Sequence, residues 1–218
     1  MRKPGSIGAL ENLGRIRLSP SFFMRDFLYS EISNFHAIPN IPDDPGLAIE
    51  VGKQLCVNLL EPLQNTFGRV EIRSAYRSCT VNAFGNEHHL NCASNESNYA
   101  GHIWDRLDAN GHKGATACIV IPWFTDRFQQ GEDWRAMAWW IHDHLPYSHM
   151  EFFPSKGLGE NKERGLCAFN ISWHEQPRKI ISSFIQPKGC LTKPGMDNHS
   201  ENHADWYPGF PQLKEFNQ

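Results

Sequence analysis

The chain has 218 residues, 40% hydrophobic, 21% charged and 12% aromatic, which is enough apolar material for one globular core and excludes a disordered or fibrous chain. Twenty-one Lys+Arg against 24 Asp+Glu leave a net charge of −3, so no overall basic field exists to hold nucleic acid or an anionic membrane. No apolar run reaches the roughly 20 residues of a membrane span.

Met1-Arg2-Lys3-Pro4-Gly5-Ser6 carries charge with no apolar stretch behind it, so no secretory signal is read. Residues 1–17 read as an N-terminal extension. Ser19-Pro20 opens the first predicted helix, a Ser cap with Pro at the first helical position, and Phe23 and Phe27 behind it face the core. Asn34 to Asp44 is broken by Pro39 and Pro42 and reads as a loop. Asp44-Pro45 caps a second helix, in which Ala48, Val51, Leu55, Leu59 and Leu63 recur every three to four residues until Gly68 stops it. Pro62 bends or shortens its last turn.

Arg69 to Ala75 suits a strand, and residues 82–112, rich in Asn, Ser, Gly and His, read as a long irregular stretch. Ala115 to Trp123 contains the continuous apolar run of a buried strand. Trp134, Met137, Ala138, Ile141 and Leu145 mark a third helix ended by Pro146. His149 to Phe153, Cys167 to Trp173 and Lys179 to Ile185 are short strands. Helices first and strands later predict an α+β domain with a mainly antiparallel sheet over residues 18–186, and 187–218 as a C-terminal tail wrapping the surface.

Eleven His and six Cys raise the question of metal. Without a CxxC pair a zinc ribbon is excluded, and the cysteines read as buried or inert free thiols in a reducing compartment. His102 and Asp105 stand three apart, with Asp108 three further on; such a set ligates metal or runs acid–base chemistry, or a His–Asp hydrogen bond pins a loop. His88-His89 lies upstream, and adjacent residues on an extended chain point opposite ways. His174-Glu175 ends a strand, where it serves as ligand and base or stays solvated. His142-Asp143-His144 sits at a helix C-terminus and reads as capping. Arg77 leaves a strand into a loop, a place suited to bidentate carboxylate recognition or to pairing with a surface acid.

Three stretches carry a resemblance: Leu18-Ser19-Pro20-Ser21-Phe22-Phe23 with Asp26-Phe27 and Ser30, Leu60-Glu61-Pro62-Leu63-Gln64 with Phe67-Gly68, and Ser74-Ala75-Tyr76-Arg77-Ser78 with Val81-Asn82. In this order they are similar to the zinc D-Ala-D-Ala carboxypeptidases, the superfamily that includes phage endolysin peptidases and the Hedgehog signalling domain. The likeness is clearest over residues 18–82 and thinner to about 185. It implies a Hedgehog/DD-peptidase-like fold, with N-terminal helices packed on a mainly antiparallel central sheet, and an Arg at position 77 that grips the substrate.

The resemblance also implies a zinc ion held by His, Asp and His, with a Glu that activates water. Gly101 and Asp105 match the family pattern Ser-x-His-x-x-Gly-x-Ala-x-Asp without a gap, which puts Asn98 at the first ligand; a shifted register puts His89 there. Phe169-Asn170-Ile171-Ser172 puts Asn170 at the last ligand, with His174 four residues on, roughly 13 Å along a strand. Glu151 and Glu175 are the nearest carboxylates for the base. A neutral amide is a poor zinc ligand beside imidazole.

Three readings follow from the resemblance. One is a zinc-dependent D,D-carboxypeptidase-like hydrolase on peptidoglycan-like peptides, with Zn2+ on His89, Asp105 and His174. Another is a repurposed enzyme using His102, Asp105 and His174 with Glu175 on another small substrate. The third is a catalytically inactive binding or structural domain of phage type. The expected partner is a small peptide or other small molecule carrying a carboxylate, with no nucleic acid and no membrane. The expected location is the cytoplasm, or the cell wall for a phage product acting after lysis.

Overall fold

Ser6 Oγ accepts the Ala9 N–H at 3.2 Å and starts α1 (Ile7–Gly14) inside the stretch expected to be a bare extension. This is a computed structural model, and it describes residues 1–154 and 165–214. Ser19-Pro20 starts no helix: the Leu18 and Ser19 N–H groups both donate to the Phe22 carbonyl and close a turn. A 3-10 turn, Met24–Phe27, follows. Phe27 is fully buried while Phe23 is 39% exposed, because Phe23 precedes the turn in extended conformation and the two do not share a helical face.

Ser30 caps α2 (Glu31–His36), which takes the first residues of the expected loop. Asp44 Oδ1 accepts the Leu47 N–H at 3.1 Å and Pro45 follows, so α3 (Pro45–Leu55) begins where the sequence places it. Pro62 has no N–H to return along the helix, and a π turn over Cys56–Leu60 widens the backbone just ahead of α4 (Glu61–Phe67). Gly68, at φ 85°, ends it. Ala48, Val51, Leu55, Leu59 and Leu63 are all fully buried, as their spacing predicts.

The rest of the chain runs β1 (Glu71–Ser74), α5 (Cys79–Glu87), α6 (Asn95–Asn98), β2 (Gly114–Val120), α7 (Pro122–Gln129), α8 (Trp134–His144), β3 (His149–Phe153), β4 (Ala168–His174), β5 (Ile180–Ser183) and β6 (Gly189–Thr192). Two short 3-10 turns, Asp197–His199 and Ala204–Trp206, follow. The fold is α+β, with an open and mostly antiparallel six-stranded sheet ordered β1-β2-β4-β3-β5-β6. Strand β3 runs parallel to β5, pairing His149 with Ile180, and β5 runs antiparallel to β6.

Helix α5 lies within the stretch read as irregular. Ser78 Oγ caps it through the Val81 N–H at 3.2 Å, and Gly85 stands inside it because a Cβ there would lie 2.5 Å from Cys92 Sγ and 2.9 Å from Ile32 Cδ1. The packing that demands Gly85 also dilutes the apolar period by which a helix is recognised. Strand β6 likewise falls in the stretch read as a tail. No helix among the described residues is long and apolar enough to cross a membrane. All six cysteines are free, as expected; Cys56, Cys118 and Cys167 are buried, Cys79 and Cys92 half-buried and Cys190 exposed.

The chain divides into two compact units: Met1–Val57 with Ser74–Ala117 and Ser172–Glu175, and Asn58–Arg73 with Cys118–Ile171 and Gln176–Gln218. The first is centred on Trp104, fully buried, whose ring lies 5.3 Å from that of Phe27 and whose indole N–H donates to the Thr116 carbonyl at 3.1 Å. The second packs Trp134 on Phe152 and Phe152 on Phe169, at 4.9 and 4.7 Å between rings, with Phe67 against Trp140 at 4.5 Å.

Candidate functional site

All the residues singled out for chemistry at positions 77, 89, 102, 105, 174 and 175 belong to the first unit. Its best-defined local feature is the turn Ala75-Tyr76-Arg77-Ser78. Asn40, buried, donates from Nδ2 to the Tyr76 carbonyl at 2.9 Å and to the Leu28 carbonyl at 3.0 Å, and its Oδ1 accepts the Ser78 N–H at 2.7 Å. One amide side chain thus replaces the backbone ladder that a turn cannot make. On the opposite flank the Arg77 N–H donates to the His102 carbonyl at 2.8 Å, while His102 Nδ1 meets the Ala75 carbonyl at 2.7 Å.

These bonds fix the Arg77 backbone and leave its guanidinium half-buried. Nη1 lies 2.6 Å from Cys92 Sγ, and Nε is buried without a hydrogen-bond partner. Arginine keeps its charge under all ordinary conditions and presents five donors in a plane. A cation held this way has donors to offer an anion.

Asp105 is 3% exposed. Its Oδ2 accepts the backbone N–H groups of Asp43 at 2.6 Å and Asp44 at 3.3 Å, and so braces the loop that leads into α3. Its Oδ1 is buried with no hydrogen-bond partner. Burial pushes the Tyr76 phenol up, and the neighbouring Asp105 carboxylate adds to the effect. His102 and Asp105 share a segment, and each bonds to backbone: His102 to the Ala75 carbonyl, Asp105 to the Asp43 and Asp44 N–H groups.

His89 is exposed in the left-handed region, at φ 56°. His174 ends β4, with Nε2 3.3 Å from Asp108 Oδ2 and its ring 5.8 Å from that of His112. Backbone N–H bonds from His112 and Asn110 hold the Asp108 carboxyl below its usual range, with His112 and His174 adding to this. Glu175 is exposed; its Oε2 accepts the Lys113 N–H at 2.8 Å. Asn98, at the ungapped first-ligand position, donates to the Ala93 and Ser94 carbonyls. Asn82 bridges to Ala93 and Asn95, so these amides knit residues 93–98 to α5.

The zinc set implied by the resemblance is not gathered. Among the described residues, the group of three His, Cys, Asp or Glu donors lying within 4.8 Å of one another is His142, Asp143 and His203. A single unpartnered carboxylate oxygen on Asp105, without two imidazoles around it, does not fit a tetrahedral zinc centre.

In the second unit, Asn170 is half-buried on β4 and Glu151 lies on β3. Burial pushes the Glu151 carboxyl up, opposed by a hydrogen bond from Ser182. The neighbouring His149 is held below its ordinary 6.5 by burial, with Arg178 acting in the same direction. The folded chain then binds fewer protons at His149 than the unfolded chain does. Stability tied to His149 is full above about pH 6.5 and is lost progressively as pH falls from there towards the lower folded value. Urea unfolding over a pH series should show stability declining as pH falls below about 6.5, and His149→Gln should flatten that slope. An unchanged slope in the variant would show that other groups set it.

Residues 142–144 do more than cap α8. His144 Nδ1 does meet the Trp140 carbonyl at 2.8 Å, in keeping with capping. His142, however, is buried between the Tyr147 hydroxyl and the His199 carbonyl, and Asp143 pairs with His203 and Tyr207. Local sequence carries no sign of this, since His199, His203 and Tyr207 lie some 60 positions away; Asn40 and Cys92, which hold and meet the Arg77 turn, are likewise outside its local pattern. Compared with protein-family models, curated proteins and solved structures, the chain matches none.

Proposed function

We propose that the chain is a non-hydrolytic binding domain, similar in design to the D-Ala-D-Ala carboxypeptidases, that takes a small carboxylate-bearing ligand on Arg77. The observation that carries this reading is the use of Asp105. The one strong ligand kept in the ungapped register spends one oxygen on the Asp43 and Asp44 N–H groups and, among the described residues, is not part of a three-donor group. Asn98 and Asn170 stand at the other two positions. The Arg77 turn, by contrast, is braced from both sides by Asn40 and His102, as a recognition element requires.

The test titrates a short peptide ending in D-Ala-D-Ala, and the same peptide with its C-terminus amidated, into the purified chain by calorimetry. The free acid should bind and the amide should not. Arg77→Lys should weaken the acid by about tenfold or more, because an ammonium cannot make the planar two-bond contact. Equal binding of acid and amide would sink the carboxylate assignment. Release of D-Ala on addition of zinc would restore the hydrolase reading.

A further inference from the structure

We propose that His142, Asp143 and His203 of the second unit form a zinc-binding site. His142 and Asp143 stand on the last turn of α8, and His203 immediately precedes the turn Ala204–Trp206. One donor atom from each lies within 4.8 Å of the other two. None of the three belongs to the set His89, Asp105 and His174, and the site stands independently of the binding role proposed for Arg77.

The hydrogen-bond pattern around His203 turns its Nδ1 to Asp143 and its Nε2 to a carbonyl. The ring is buried, and its Nε2 lies 2.8 Å from the Asn198 carbonyl, which can only accept, so Nε2 carries the hydrogen. Nδ1 faces Asp143 Oδ1. At 2.7 Å this is a hydrogen bond, and a zinc ion would take the place of that bond, about 2.0–2.2 Å from each atom and with the two held further apart. A ligating His normally gives its other N–H to a carbonyl or carboxylate, which is what Asn198 provides. Trp139 stacks on the ring at 3.7 Å and 4° and fixes its plane.

The neighbouring groups complete a metal site. The Tyr207 hydroxyl donates to Asp143 Oδ2 at 2.7 Å and orients the carboxylate. Both nitrogens of His142 have neutral partners, the Tyr147 hydroxyl and the His199 carbonyl, and ligation exchanges one of these bonds for a coordinate bond. The His199 ring lies 5.1 Å from that of His142. Two imidazoles with one carboxylate suit zinc better than magnesium or calcium, which prefer all-oxygen shells. The bound ion would tie the end of α8 to residues 198–207.

The test uses tag-free full-length chain stripped with a chelator, titrated with Zn2+ by calorimetry and melted with and without the ion. One equivalent should bind and raise the melting temperature. Asp143→Asn, a change at an exposed residue of nearly the same shape, should weaken binding by about tenfold or more, and His203→Gln should do the same. His89→Ala and His174→Ala should leave binding unchanged. Circular dichroism establishes that each variant is folded, and the Asp143 variant decides the matter if His203→Gln is not. Absence of zinc binding, binding indifferent to Asp143→Asn, or binding lost in His174→Ala would each overturn the proposal.

Discussion

Replacing Asp105 by Ala should destabilise the chain by about 2–4 kcal/mol, because it leaves the Asp43 and Asp44 N–H groups facing a cavity after losing a charged acceptor. Asp105→Asn keeps a carbonyl oxygen of the same shape and should cost about 1 kcal/mol, the difference between a charged and a neutral acceptor. Urea denaturation of the two variants beside the parent measures both. The order matters more than either value. For a metal ligand or a general base, the Asn variant would be the damaging one in function while the fold stayed intact. For a brace, Ala is the damaging one and the loss appears in unfolding. Binding of the D-Ala-D-Ala peptide should survive Asp105→Asn, since Arg77 is held by Asn40 and His102 rather than by Asp105. An Asn variant as unstable as the Ala variant would mean that the carboxylate charge, rather than its geometry as an acceptor, holds the Asp43–Asp44 loop.

The parts of the fold that were legible share a physical cause. Asp44-Pro45 capping α3 and the buried stripe from Ala48 to Leu63 are local patterns, written within a few turns of helix, and the continuous apolar run of β2 is local too. What escaped depends on packing and pairing that the local apolar pattern does not encode. Gly85 sits in a helix because Cys92 and Ile32 press on it, and β6 is a strand because β5 offers an edge. Ser19-Pro20 carried a helix-start signal that lost to the bonds from Leu18 and Ser19 to Phe22. The candidate site divides in the same way. The Arg77 turn was visible as a motif, whereas the use of Asp105 as a brace follows from backbone groups more than 60 positions away. His142-Asp143-His144 looked complete as a helix end because capping is itself a local explanation. The charge and hydrogen bonds that His203 brings to it belong to another part of the chain.

Trp104→Ala should be the most damaging single change in the first unit, at about 3–5 kcal/mol, since it empties a fully buried site and strips the Thr116 carbonyl of its donor. A second substitution tests what the indole does there. Gly52 lies inside α3, where Ala would gain about 1 kcal/mol of helix propensity. A Cβ at that position would stand 2.9 Å from Trp104 Cζ3 and 3.1 Å from Leu18 Cδ1. With Trp104 in place the added methyl is therefore squeezed against a ring that cannot withdraw, and Gly52→Ala should cost about 1–2 kcal/mol net. In the Trp104→Ala background the wall is gone and the Leu18 methyl is free to turn aside. Gly52→Ala should then stabilise by up to about 1 kcal/mol. The two effects differ in sign, giving a coupling of about 2 kcal/mol or more in a double-mutant cycle of urea unfolding. Equal costs in both backgrounds would show that Leu18 or the helix itself, not the indole, requires the glycine. The outcome bears on the site because Trp104 lies between His102, which laces the Arg77 turn, and Asp105, which braces the entry to α3. A loose packing at position 104 reaches both, and peptide binding at Arg77 should weaken in Trp104→Ala even where the chain stays folded.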